Sequence, residues 1–256
     1  LIEKLEEAKK SLISEVVTGK VKVVKTDEGY ELLERKKEEM KDSGVEWIEN
    51  IPSDFLVSKM KYVSDVIDPQ PDHRAPRLSE GEGFPYIGIR DLNIDGTVNV
   101  ETARKVEEDA IIKQENAFKI ENGDIVFGKV GTLGNPKFIK THTRIALSAT
   151  LVLIKSKSNI SNRYLRFVLD SNIIDKQMQY LAQGSTRPAL GIQQIRKFDI
   201  PYPKLDEQKA IAEFLDYKVE KIEYLCAITL QQIERLKEAK QSLISEAVTG
   251  KIEILD

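Results

Sequence analysis

The sequence holds a single cysteine, Cys226, among 256 residues. That excludes an internal disulfide framework and any multi-cysteine metal site, and it suits a reducing cytoplasm. The two histidines, His73 and His142, stand 69 positions apart, which argues against a structural zinc site. No apolar run approaches the roughly 18 residues that a transmembrane helix needs. The opening LIEKLEEAKK is charged and periodic, unlike a secretory signal. It has no initiator Met, which points to a fragment or a processed chain. Catalytic signatures are missing too. There is no P-loop, no strand-linked G-x-G-x-x-G, no G-x-S-x-G elbow and no H-E-x-x-H. Pro71-Asp72 is followed only by EGEG at 80–83, so the carboxylate–lysine pattern of a nuclease fails. No N-P-P-Y-like tetrapeptide of an adenine methyltransferase occurs. Cys226 falls inside an apolar helical stripe and reads as a buried small hydrophobe rather than a nucleophile. The chain therefore reads as a binder and not as an enzyme.

Enough apolar sequence is present for a core: 41% of residues are hydrophobic, which excludes disorder of the whole chain. The net charge of −3 hides an asymmetry. Residues 125–204 carry 13 basic and 3 acidic side chains, a local excess of +10. Such a stretch is the footprint of a polyanion-binding face, and its plainer alternative is a solvated basic surface with no partner.

A repeat brackets the chain. Residues 1–23, LIEKLEEAKKSLISEVVTGKVKV, match residues 232–254, QIERLKEAKQSLISEAVTGKIEI, at 15 of 23 positions. The period far exceeds that of a solenoid, so one large module recurs. Both copies have a helical pattern. From Asp206 to Val248 apolar residues return at steps of three and four, including Ile211, Leu215, Ile222, Leu225, Ile233, Leu236 and Leu243. Asp206 is the expected N-cap, and Gly250, like Gly19, sits where a C′ glycine belongs. A helix of about 43 residues is a rod of about 65 Å. One apolar stripe along such a rod needs a partner helix. The N-terminal helix can cover less than half of it, so the stripe is expected to seek another chain.

Between the helices lies a domain of α+β, or mixed α/β, character. Residues 20–44 form a charged connector in which KTDEGYELLERKKEEMKDSG reads as one short helix. Trp47 reads as a packing anchor at the domain entrance. Strand-like runs follow at 85–90, 124–130, 145–154 and 197–203, with two helical patterns, NRYLRFVLDS and NIIDKQMQYLA, between the last two. The expected division is thus a helix over 1–19, a connector over 20–44, a globular domain over 45–204 and a long helix over 205–250.

Three stretches together resemble the specificity subunit of type I restriction-modification systems. They are GVEWIENIP at 44–52, GDIVFGKVGTLGNPKFI at 123–139 with ALSATLVLI at 146–154, and GSTRPALGIQQIRKFDIPYPKLDEQKAIAEFLD at 184–216 running into the long helix. The resemblance implies a target recognition domain over 45–204 and conserved helices that pack as an antiparallel coiled coil. It implies a non-catalytic, cytoplasmic DNA-binding subunit that reads one half of a bipartite duplex site. Its partners would be a methyltransferase subunit and a restriction subunit, with a homodimer through the long helices if the chain is a half-subunit. It implies no cofactor here: S-adenosylmethionine, ATP and Mg would belong to partner subunits. The second reading is a coiled-coil oligomerising adaptor whose α/β domain binds a protein or a small anion.

Candidate DNA contacts follow from residue chemistry. Lys and Arg neutralise phosphates, while Arg, Lys, Ser and Thr also read base edges. Arg74 and Arg77 lie in the Pro-flanked PDHRAPR. Lys129 and Thr132 lie in FGKVGTLGNP, whose glycines permit close backbone approach. Lys137, Lys140, His142 and Arg144 form a dense basic run. Ser185, Thr186 and Arg187 lie in GSTRP, which can instead hold the domain against the long helix. Lys129 and Arg144 have a second option, pairing with acids such as Asp124.

Overall fold

In a computed structural model of the chain, residues 1–27, 29–72, 74–182 and 188–251 are described. In chain order the elements start with helix α1 (Ile2–Val17) and strands β1 (Val21–Thr26), β2 (Gly29–Glu34), β3 (Met40–Asp42), β4 (Asn50–Pro52) and β5 (Leu56–Lys59). The turn α2 (Met60–Val63), strands β6 (Ser64–Ile67), β7 (Phe84–Ile87) and β8 (Arg104–Val106), and helix α3 (Glu108–Ala117) come next. Strands β9 (Ile125–Gly128), β10 (Gly134–Phe138), β11 (Ala146–Leu147) and β12 (Leu151–Ser156) precede helices α4 (Asn162–Leu169) and α5 (Asn172–Leu181). The turn α6 (Ile192–Ile195), strand β13 (Asp199–Tyr202) and helix α7 (Leu205–Val248) close the chain. The chain divides into two units, Lys10–Phe214 and Leu1–Lys9 with Leu215–Asp256.

Within Lys10–Phe214 a four-stranded sheet of order β10-β9-β12-β6 forms the centre, with β9 antiparallel to β10 and β12, and β12 antiparallel to β6. Ile125–Phe127 and Leu151–Ile154 are fully buried, so these short apolar runs are strands covered on both faces. A second sheet has the order β11-β7-β8, with β11 parallel to β7. Helices α4 and α5 are amphipathic and bury Tyr164, Leu165, Phe167, Val168, Ile173 and Ile174. Strand β13 pairs with β5. Trp47 donates from Nε1 to Asp199 at 3.3 Å and packs on Tyr180, which holds the domain entrance to β13.

The last turns of α1 are part of this unit. Ile13, Val16 and Val17 are fully buried. Lys10 pairs with Asp170 at 2.9 Å and with Asp175 at 3.3 Å. The Ser14 hydroxyl accepts the Asn172 N–H at 2.8 Å. Gly19 ends the helix at φ +70°, and a Cβ there would lie 2.5 Å from Pro52 Cγ, so only glycine both makes this turn and fits the wall. The Tyr164 hydroxyl lies 2.9 Å from both Val17 O and Pro201 O and shares one proton between them. Burial pushes its pKa well up, so it stays a donor.

The connector differs from the sequence expectation. It is not a helix but the antiparallel hairpin β1–β2, followed by one turn of 3₁₀ helix and β3. Val21, Val23, Val24 and Tyr30 favour the extended state, and Gly29 at φ +133° closes the turn. Tyr30 meets Phe214 edge-on at 5.7 Å, and Arg35 pairs with Glu207 at 2.7 Å, so the hairpin is seated by aromatic and ionic contacts with the start of α7. The run expected as one strand over 145–154 is two strands. A Ser148–Thr150 turn, with Thr150 N–H on the Ser148 hydroxyl, sends them to different sheets. Asp206 is not the cap of α7. The helix opens at Leu205, Gln208 N–H bonds Lys204 O, and Asp206 and Glu207 occupy the first turn, where carboxylates favour the positive helix end.

In the other unit, Lys9 reaches Glu223 at 3.5 Å and Cys226 Sγ lies 3.8 Å from Glu6. A step back along one helix is a step forward along the other, so the two segments run antiparallel. Cys226 is buried, as its place in the stripe suggested. Leu225, Leu230, Leu236, Leu243, Ile244 and Val248 are exposed.

Tyr164→Phe is expected to lower unfolding stability by about 1–3 kcal/mol, because it strips two buried carbonyls of their donor. Urea denaturation of the full chain measures this; an unchanged midpoint would show that the hydroxyl does not hold α1.

Candidate nucleic-acid interface

The central sheet has one end at which β6 and β9 finish and β10 and β12 begin. The loop after β6, the turn 129–133 between β9 and β10, and the turn 148–150 before β12 gather there. Arg74 and Arg77 occupy the first of these. Pro69, Pro71 and Pro76 limit its backbone freedom, Asp68 caps Gln70 N–H at 3.1 Å, and Arg77 O accepts Glu107 N–H at 3.2 Å. Both arginines are exposed, and among the described residues neither side chain has a hydrogen bond or ion pair. Together with Gln70, Asp72, Asp109 and Lys113 they line a cleft of about 450 Å³ beside α3. Thr132 is exposed on the next turn. That turn is tight: a Cβ on Gly128 would lie 2.1 Å from Thr132 O. Gly131 N–H bonds Pro188 O at 3.0 Å. Ser185, Thr186 and Arg187, which precede Pro188, lie outside the described residues.

The basic run at 137–144 is placed elsewhere, with Lys140, His142 and Arg144 after the far end of β10. His142 and Arg144 line a second cleft, of about 430 Å³, with Gln114, Glu115, Phe118 and Lys119. Helix α3 separates this cleft from the first. Gln114 fixes α3 to β11: its side chain donates to Leu147 O at 2.7 Å and accepts Leu147 N–H at 2.8 Å. Lys140 and His142 are exposed.

Three of the candidate cations have partners within the chain, Lys129 and Lys137 with their side chains at least partly buried and Arg144 at the surface. Lys129 is 5% exposed, with its ammonium 2.8 Å from Asp68 Oδ1. So placed, its ammonium is turned to Asp68 and not to solvent. Lys137 donates to Leu92 O, and burial pushes its pKa down. Arg144 lies over the Phe84 ring and bonds Glu115 at 2.7 Å and Glu108 at 3.0 Å. Those hydrogen bonds, first with Glu115 and then with Glu108, raise its pKa, and Arg144 in turn lowers that of Glu115. The pairing foreseen with Asp124 goes to Lys155 instead, at 2.8 Å. Part of the local +10 is thus offset in space, where Lys129, Arg144, Lys155 and Lys157 pair with Asp65, Asp68, Glu108, Glu115, Glu121 and Asp124, all from before residue 125. Sequence reasoning missed α3, whose hydrophobic periodicity is weak, and the exposed Lys113 that pairs with Asp72 at the cleft mouth. Of the stripe assigned to a partner helix, Ile211 and Leu215 are buried in this chain, at 2% and 0% exposure. Ile222 and Ile233 are half-buried, and Leu225, Leu236 and Leu243 are open.

No described helix is long and apolar enough to cross a membrane, and among the described residues no group of three His, Cys, Asp or Glu could hold a metal.

With this architecture in view, comparison with known proteins defines the class. The family model described as the type I restriction modification DNA specificity domain matches residues 52–235, most of the chain, and the chain belongs to that family. Among curated relatives it is 27% identical over 265 residues to the type I restriction enzyme MjaVIII specificity subunit of Methanocaldococcus jannaschii, covering 99% of this chain and 55% of that protein. It is 26% identical over 215 residues to the putative MjaX specificity subunit of the same organism, covering 79% and 47%. The chain therefore spans about half the length of these relatives. Its fold is similar to a chain from a structure of complex assembly and conformational transition in the type I R-M system (TM-score 0.60, 16% identity, 96% of this chain and 53% of that one). It is also similar to the HsdS subunit from Thermoanaerobacter tengcongensis (TM-score 0.55, 16% identity, 98% and 53%).

Replacing Arg74 and Arg77 together by Ala is expected to reduce the slope of log affinity against log salt for duplex DNA by about 2, one for each phosphate that is no longer neutralised. The thermal midpoint should not move, because neither side chain holds the fold. Arg144→Ala should do the reverse, lowering the midpoint and leaving the slope. Fluorescence anisotropy across a salt series, paired with melting curves, reads both; an unchanged slope in the double variant would remove the loop from the interface.

Proposed function

We propose that this chain is the DNA-reading part of a type I specificity subunit: it binds duplex DNA, selects one half of a bipartite site and performs no chemistry. The observation that carries this reading is the family match over 52–235, joined to two arginines without a side-chain partner among the described residues, on a proline-stiffened loop at one end of the sheet. Exposed fork donors suit base-edge and phosphate recognition. The missing catalytic motifs support a binder. Methyl transfer and cleavage would belong to a methyltransferase and a restriction subunit docked on the helices, and S-adenosylmethionine, ATP and Mg would be theirs. Such an assembly would work in the cytoplasm. The relatives are specificity subunits, which favours this reading over an oligomerising adaptor.

The repeat supports a second such domain in the assembly. Ile244, Ser245, Val248 and Gly250 stand in the C-terminal copy where Ile13, Ser14, Val17 and Gly19 stand in the N-terminal one. The first set is seated on the domain. In the second, Ile244 is 46% and Val248 82% exposed. A second recognition domain, in another copy of this chain or in a longer parent, would complete the pair through these helices.

Co-expression with a type I methyltransferase subunit, followed by mapping of methylated adenines in the host genome, tests the function. A bipartite motif is expected. It would be palindromic if two copies pair and asymmetric if a different recognition domain joins. Absence of new methylation when the complex is shown to form would overturn the reading and favour the adaptor.

A further inference from the structure

Lys129 holds more than one loop. Its ammonium bonds Asp68 Oδ1 at 2.8 Å, and the same oxygen accepts Gln70 N–H at 3.1 Å, so the pair fixes the start of the 68–77 loop. Its own N–H bonds Thr150 O at 2.8 Å and its C=O accepts Leu190 N–H at 2.8 Å. One residue therefore ties the loop with Arg74 and Arg77, the turn before β12 and the segment entering α6. It also sits in the turn that presents Thr132. Gln70 and Ala149 close a second link, both donating to the Tyr86 hydroxyl, at 2.8 and 3.3 Å.

The energetics are informative. The Lys129 side chain is 6% exposed and that of Asp68 14%. Two charges removed from water to this degree repay their desolvation poorly, and an apolar replacement of similar volume is often neutral for stability. What a buried pair supplies instead is direction, since the ammonium is satisfied only when Asp68 stands at one position. The pair therefore acts on the start of the loop that carries Arg74 and Arg77.

Resting on the DNA-reading role proposed above, we infer that Lys129 is a positioning residue for sequence discrimination: with Asp68 it locks the Arg74–Arg77 loop to the Thr132 turn, so that the two meet DNA in one fixed register. Lys129 does not touch DNA itself. Breaking the lock lets the loop drift against the turn, and mismatched bases are then tolerated.

The test uses the full chain in complex with its methyltransferase subunit. Lys129→Met alone would strand a buried carboxylate, so it is combined with Asp68→Asn, which retains an acceptor for Gln70 N–H and removes both charges. The readout is the ratio of kcat/KM for methylation of a cognate duplex to that for single-mismatch duplexes in the half-site read by this domain. A merely destabilised variant has fewer active molecules, which lowers both rates together and leaves the ratio in place. The expected result is a ratio reduced about tenfold, within the usual worth of one mismatched base pair. Lys129→Arg, which keeps the pair, should retain most of the discrimination. An unchanged ratio in the double variant would overturn the positioning role and leave the DNA-reading role standing. A wild-type complex that does not discriminate between the duplexes would overturn both.

Discussion

One buried hydroxyl joins three parts of the chain. Tyr164, on α4, satisfies the carbonyl of Val17 at the end of α1 and that of Pro201 in the strand that leads to α7. Around it Ile13, Val16 and Val17 are wholly shielded from water, and Gly19 turns the chain away at a place where a methyl group would strike Pro52. The end of one repeated helix is therefore part of the recognition domain's core. The proposed recognition surface stands on the sheet this packing supports.

On that surface burial and pairing decide which cations are available. Electrostatic recognition of a polyanion needs charges that are exposed and uncompensated. Lys129, Lys137 and Arg144 are cationic by sequence and committed by structure, each to a partner inside the chain. Arg74 and Arg77 are the reverse, with no internal side-chain partner among the described residues and a backbone stiffened by prolines. The distinction matters for function, because a lysine paired in the interior directs geometry while a free guanidinium can meet a phosphate or a guanine edge.

Much of the architecture was legible in the sequence. The repeat, the long α7, the C′ glycines, the paired helices at 162–181 and strands β7, β9, β12 and β13 follow from periodicity and turn residues, whereas β6 and β10, the two edges of the central sheet, carry no such signal. The hairpin at 21–34 was obscured by its charge: Lys and Glu side chains masked an alternation that Val and Tyr dictate once Gly29 turns the chain. The site was less legible. Segment charge located a basic excess, but the acids that offset part of it lie earlier in the chain and meet it only in the folded domain. Lys129 could be identified as a buried lysine only once Asp68 was placed beside it, since neither residue carries a local signal. Helix α3 has too weak a hydrophobic periodicity to stand out, although it separates the two clefts.

On the proposed function, DNA lies against the sheet end formed by the 68–77 loop and the 129–133 turn. Amide hydrogen exchange of the complex with its methyltransferase subunit, with and without a duplex carrying the methylated motif, would locate the bound DNA. Exchange should slow in both segments with the cognate duplex and change little with a scrambled one. Protection confined to other surfaces of the domain, with cognate binding established, would contradict it.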